Sequence, residues 1–149
     1  MTSNLKKLYL RTLGKVILSD FFAPRFPVSV KGICILDNKV VLLKNERGEW
    51  DLPGGKLEKD EKIENALQRE ISEELNVGVS IVKLLDVLNV SVKNQINVLV
   101  VIYHCQINGA ISDLRISSES FDLGLFDRSQ LKRILINDNY LEHILRVLH

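Results

Sequence analysis

Cysteine is nearly absent from this chain, with only Cys34 and Cys105 in 149 residues. A disulfide framework is thereby excluded, and both thiols lie in apolar runs, where cysteine behaves as a small buried hydrophobe. A reducing cytosol suits such a chain. Proline is as scarce, at Pro24, Pro27 and Pro53, and aromatic residues make up 6%. No apolar run approaches the ~18 residues of a membrane span, so no transmembrane segment is expected. The first residues lack the apolar segment and small-residue cleavage site of a secretory signal, so the cytoplasm is the expected location. Neither sign of charge dominates: 20 Lys and Arg oppose 19 Asp and Glu, for a formal +1. A strongly basic nucleic-acid binder is not indicated, and no sequence-specific nucleic-acid partner is expected.

Hydrophobic residues supply 46% of the chain, enough for a core, and the length fits a single domain over 1–149. The neutral total hides an uneven distribution. Residues 1–19 carry Lys6, Lys7, Arg11 and Lys15 and no acid. There Leu5, Leu8, Tyr9, Leu13, Val16 and Ile17 recur at helical spacing. The pattern predicts an amphipathic helix over 1–22 that packs on this domain or on a second copy, so a homodimer fits it. Residues 58–74 instead hold seven acids against Lys59, Lys62 and Arg69.

After Pro27 the pattern turns to strand. Val28–Leu36 is rich in β-branched residues, Asp37-Asn38-Lys39 turns the chain, and Val40–Lys44 returns. Asn45–Glu49 reads as a loop, and Trp50-Asp51-Leu52-Pro53-Gly54-Gly55 as an irregular path. Lys62–Leu75 is helical in pattern, followed by long apolar runs over Val79–Val92 and Gln95–Ile107. The second is nearly unbroken from Val98 to Tyr103, as for a strand covered on both faces. Asn108-Gly109 predicts a hairpin into a strand over Ala110–Ile116. Asp127 with Gln130 predicts a capped helix towards Leu135, and Leu141, Ile144, Leu145 and Leu148 a last one. Strands mixed with helices at both ends indicate an α/β or α+β layer domain around a mixed sheet.

The acidic helix carries the first chemical signal. With Ile63 at zero, Ala66, Leu67 and Ile71 span an apolar arc from about −60° to about 80°. Glu70 falls near −20° and Glu74 near 20°, inside that arc, with Glu73 flanking it near −80°. Carboxylates aimed inward must be protonated, paired or metal-bound, because a bare buried charge costs several kcal/mol. Arg69 neutralises only part of the cluster. Glu70, Glu73 and Glu74 stand at i, i+3 and i+4, close enough to converge on one or two ions. An oxygen-only set suits Mg²⁺ or Mn²⁺ rather than zinc, and such ions attract phosphates. Gly54 and Gly55 allow close backbone approach, so a main-chain carbonyl could join the set. The turn is not a Walker loop, since Lys56 is followed by Leu57.

Gly55, Glu61, Arg69-Glu70, Ile71, Glu73-Glu74 and Val77 together reproduce the spacing of the Nudix box, GX5EX7REUXEEXGU, over residues 55–77. Asn76 stands where the family has its last Gly, a mild change, because Asn is the next-best residue for a left-handed helix end. The chain therefore resembles the Nudix hydrolases. The resemblance implies an α/β/α sandwich around a mixed sheet. It also implies metal-dependent hydrolysis of a nucleoside diphosphate linked to another moiety, such as a nucleoside triphosphate or a small nucleotide conjugate. By similarity Glu70 and Glu74 are the main ligands of Mg²⁺, with Mn²⁺ as a substitute. Glu73 is a further or water-mediated ligand, and the Gly54 carbonyl completes the set. Arg69 orients the glutamates, and Glu61 at the helix entrance is an outer ligand or helper.

The base is Glu73 as first choice, or Glu119 from the Ser117–Asp122 loop. Lys44 and Arg47 are candidates to reach phosphates, and Trp50 to stack on a base. A non-catalytic Nudix-like module that senses or scaffolds nucleotides is the alternative, though such modules usually lose box glutamates. A proline expected beyond the box in the ADP-ribose subgroup is missing, which weighs against that substrate.

Overall fold

Asp37 and Asn38 take left-handed backbone angles, φ 50° and 56°. Two successive positive φ values make the tight turn that matches strand twist, and they fold Val28–Leu36 (β1) onto Lys39–Lys44 (β2). The structure, a computed structural model, describes residues 26–92 and 96–148. The helix expected over 1–22 lies outside them. The other elements are a two-residue strand, Trp50–Asp51 (β3), helix Ile63–Leu75 (α1), strands Gly78–Val92 (β4), Ile96–Asn108 (β5) and Asp122–Phe126 (β6), and helix Asp138–Val147 (α2).

The sheet is mixed, as expected: β3-β2-β1-β5-β4 in order, with β6 on β2. β1 and β5 are parallel, and the other pairs are antiparallel. β6 pairs with β2 from Val40 to Lys44 and so holds one edge of it. The other edge is shared, β1 pairing with residues 39–41 and β3 with 43–44. At that fork β1 parts from β2, and the site described below opens there.

Alternation along β1 builds two cores. Val30, Cys34 and Leu36 pack with Ala66, Leu67, Ile71 and Leu75 of α1. Ile33 and Ile35 pack with Tyr140 and Ile144 of α2. Val100–Tyr103 of β5 are buried on both faces, as the unbroken apolar run predicts. Cys34 and Cys105 are free, buried register partners on β1 and β5. A hydrogen bond with Cys105 and burial push the Cys34 thiol up, so it is an inert neutral group. Among the described residues no helix is long and apolar enough to cross a membrane.

Three expectations need correction. Ala110–Ile116 is not a strand. After Gly109 the Asp113 carboxylate accepts from the Ala110 N–H at 2.8 Å and closes a 3-10 turn over Ile111–Asp113. The Arg115 and Ser117 N–H groups then donate to the Leu75 and Glu74 carbonyls. The end of α1 leaves carbonyls without intrahelical partners, and this segment satisfies them instead of pairing as a strand. Around Asp127 the reciprocal cap forms, Gln130 N–H to Asp127 Oδ1 and Asp127 N–H to Gln130 Oε1, each 3.0 Å. Only a 3-10 turn, Leu131–Arg133, follows it. The Leu135 carbonyl accepts from Trp50 N–H and Ile136 bridges to Trp50, which draws the chain straight before a helix can grow. Finally, Trp50–Asp51, expected to be irregular, pairs with β2.

Asn76 ends α1 at φ 59°, with its N–H on the Ser72 carbonyl. Asn76→Gly is expected to leave the melting midpoint in urea unchanged or slightly raised. Asn76→Ala, with a Cβ in the left-handed region and no amide side chain, should cost about 1 kcal/mol.

Candidate active site

Where β1 leaves β2, the Pro53–Leu57 strip takes the vacant edge. Gly32 N–H donates to the Pro53 carbonyl at 2.9 Å, Val30 N–H to Gly55 at 2.8 Å, and Leu57 N–H to Val28 at 3.0 Å. Gly54 sits in the middle at φ 133°, and a Cβ there would lie 2.0 Å from the Val30 carbonyl oxygen. Only glycine fits. Its N–H donates to Glu74 Oε2 at 2.7 Å, joining the loop to α1 across the sheet edge.

α1 buries Ala66, Leu67, Ile71 and Leu75, and the arc they define carries Glu70 and Glu74 inward as the helical spacing predicts. Burial first of all lifts the Glu74 carboxyl to about 7; the Gly54 N–H and Lys31 hold it down, and Glu70 and Asp51 push it further up. Arg69 gathers the other acids. Its Nε and Nη2 grip Glu61 at 2.9 and 3.0 Å. Nη1 reaches Glu70 Oε1 at 2.9 Å and Glu73 Oε2 at 3.4 Å. The bond to Arg69 lowers the Glu61 carboxyl, and the bonds to Glu61 and then Glu70 raise the Arg69 guanidinium. Glu73, with a side chain 60% exposed, lies at the rim. A Cβ on Gly55 would fall 2.3 Å from the Glu70 carboxylate, so Gly55 is the cradle in which that carboxylate rests.

The donor set fits a hard divalent cation. Glu70, Glu73, Glu74 and the Gly54 carbonyl supply only oxygen, and a carboxyl that burial drives to about 7 gains most from a nearby positive charge. Among the described residues no three acids, histidines or cysteines stand gathered enough to hold an ion as they are. Arg69 holds one oxygen each of Glu70 and Glu73, and the Gly54 N–H holds one of Glu74, so ligation requires these side chains to draw together, each through its second oxygen.

Two cavities flank the fork. The smaller, about 140 Å³, is lined by Glu74, Glu119, Lys31, Lys44 and Asp51 among others. The larger, about 470 Å³, lies on the α2 side, with Trp50, Arg47, Lys31, Asn137 and Tyr140 in its wall. The candidates therefore divide. Glu119, from the loop, shares the small cavity with Glu74, whereas Gly54, Glu61, Arg69, Glu70 and Glu73 line neither. Lys44 lies 5.5 Å from the centre of the Trp50 ring, and Trp50 packs edge-on to Phe126 at 4.7 Å. Arg47 pairs with Glu49 at 2.9 Å. Lys31 and Asp51 line both cavities and are not among the sequence candidates. Lys31 is the one cation in the nine residues of β1, and strand alternation puts it on the α2 face, a signal that was available.

The family model described as NUDIX domain matches residues 25–144. A "MutT-like protein" from Streptomyces ambofaciens is 31% identical over 99 residues, covering 65% of this chain and 61% of that protein. An "8-oxo-dGTP diphosphatase" from Proteus vulgaris is 44% identical over 59 residues, covering 36% of this chain and 53% of that protein. The chain thus spans between about half and three fifths of the length of these curated relatives. Among solved structures, a NUDIX hydrolase from Nitrosomonas europaea superposes with a TM-score of 0.71 at 25% identity, covering 84% of this chain and 71% of that one.

Proposed function

This chain belongs to the NUDIX family, and on that premise we propose that it is a divalent-metal-dependent pyrophosphohydrolase acting on a nucleoside diphosphate linked to another moiety. A nucleoside triphosphate is the first substrate class, in keeping with the name of the Proteus vulgaris relative, an "8-oxo-dGTP diphosphatase". The observation that carries the reading is the half-buried Glu74 carboxyl, tied to the Gly54 N–H, in a cavity that adjoins one of about 470 Å³.

Glu70, Glu74 and the Gly54 carbonyl would hold Mg²⁺, or Mn²⁺ in its place, with Glu73 as a further ligand. When bound, such an ion neutralises a diphosphate and acidifies an attacking water. The water oxygen bonds to one phosphorus while the bridging P–O bond on that atom breaks, and a carboxylate takes the water's proton. Glu73, exposed at the rim, is the first choice for that proton. Glu119 is the second, and its place in the small cavity with Glu74 supports it. Arg69 keeps Glu61, Glu70 and Glu73 in register. Lys44 and Arg47 receive the phosphate chain, and Trp50 offers its ring to the base.

A panel of nucleoside triphosphates and nucleotide conjugates, run with Mg²⁺ and with Mn²⁺, tests this. Metal-dependent release of a nucleoside monophosphate is expected from at least one of them. Binding without turnover across the panel would replace the enzyme with a nucleotide sensor.

A further inference from the structure

Lys31, Asn45 and Asp51 line both cavities, and Lys31 is the only cation common to them. Its side chain is 14% exposed, against 58% for that of Arg47. The ammonium donates to the Leu52 carbonyl at 2.9 Å, to Asp51 Oδ2 at 3.1 Å and to the Gly54 carbonyl at 3.4 Å. The last bond is the longest and the easiest to exchange. A charged phosphate oxygen is a stronger acceptor than that neutral carbonyl and can take its N–H. A phosphate in the small cavity faces Glu74, Glu119 and Asp51, with Lys31 and Lys44 as the cations there, and of these two only Lys31 also lines the larger cavity.

We propose that the Lys31 ammonium grips the phosphate attached to the nucleoside, at the point where the nucleoside cavity opens into the carboxylate cavity. The ligand class is a nucleoside 5′-phosphate, and the assignment rests on reading the two cavities as one nucleotide site. Lys31 is then a substrate-binding residue that the Nudix box does not contain. The Gly54 N–H to Glu74 bond on the far side of the loop does not depend on it.

Trp50 is the only tryptophan in the chain and lines the nucleoside cavity, so its fluorescence reports occupancy without turnover. The titration is run in EDTA with AMP, GMP, CMP, UMP and dGMP, and with the parent nucleoside of whichever binds tightest. Losing a charge-assisted hydrogen bond, Lys31→Met should weaken the monophosphate about 10- to 50-fold and leave the nucleoside within about twofold. Lys31→Gln keeps a donor for the Leu52 carbonyl but no charge, and it should show the same split if the methionine variant folds poorly. Equal losses for nucleoside and monophosphate would make Lys31 a loop brace and overturn the assignment. So would unchanged binding in both variants, or no monophosphate binding by the unsubstituted protein. A panel without turnover, beside phosphate-dependent binding that needs Lys31, would remove the hydrolase reading and leave this one standing.

Discussion

Glu74→Gln is expected to lower the proposed metal-dependent hydrolysis about 10³-fold and, at the same time, to make the metal-free protein more stable at pH 8. The first effect follows from the several kcal/mol of charge stabilisation that a bound ion supplies, since about 4 kcal/mol corresponds to 10³ in rate. The second follows from burial. The folded Glu74 carboxyl is raised to about 7 against an ordinary 4.5. Below pH 4.5 folded and unfolded chains are both protonated there, and nothing is lost. Between pH 4.5 and 7 the unfolded chain ionises while the folded one resists, so stability falls as pH rises through that window and is level above it. A full accounting gives about 3 kcal/mol, and partial solvation of the carboxylate reduces this to about 2 kcal/mol. Glutamine never ionises, and its Oε1 still accepts from the Gly54 N–H. Urea melts in EDTA should therefore show the variant equal to the unsubstituted protein at pH 4.5 and about 2 kcal/mol ahead at pH 8. Added Mg²⁺ should stabilise only the protein that retains Glu74. A variant less stable at pH 8 would mean that the inward carboxylate bears no burial cost and calls for no cation.

The parts of this fold that a reader of residues can find are those decided locally. Asp37-Asn38 specify a tight turn by their tolerance of positive φ, and Ile63–Leu75 declares its limits through apolar spacing and Asn76. The inward pair Glu70 and Glu74 is legible for the same reason, because the geometry of one helix suffices to place it. What eluded the sequence depends on distant partners. The segment after Gly109 becomes a 3-10 turn because Arg115 and Ser117 reach the carbonyl end of α1. The cap at Asp127 forms as its chemistry demands, yet Trp50 straightens the chain beyond it. Lys31 belongs with these. Its residue type and face are visible in Val28–Leu36, but its three acceptors come from the end of β3 and the strip after it, which reaches β1 only because β1 and β2 part.

That fork makes two adjacent glycines answer differently to the same methyl group. In Gly54→Ala the new Cβ meets the Val30 carbonyl oxygen at 2.0 Å and the Lys31 Cα at 3.0 Å, at φ 133°. Both obstacles are backbone, and the Val30 N–H and Gly32 N–H bonds pin that backbone to the same strip. Neither side can yield, so the substitution should cost about 4 kcal/mol, roughly a 12 °C fall in melting temperature for a chain of this length. In Gly55→Ala the Cβ lands 2.3 Å from the Glu70 carboxylate, the far end of a side chain that Arg69 holds by one oxygen. That carboxylate can swing away at a cost of about 1 kcal/mol. The fold should then survive while Glu70, a proposed cation ligand, is displaced, and hydrolysis should drop about 100-fold, with the Mg²⁺ concentration for half-maximal rate raised. Thermal melts and metal titrations of the two variants separate the roles. If Gly55→Ala lost as much stability as Gly54→Ala and kept its metal dependence, Glu70 would be a brace for the loop rather than a ligand in waiting.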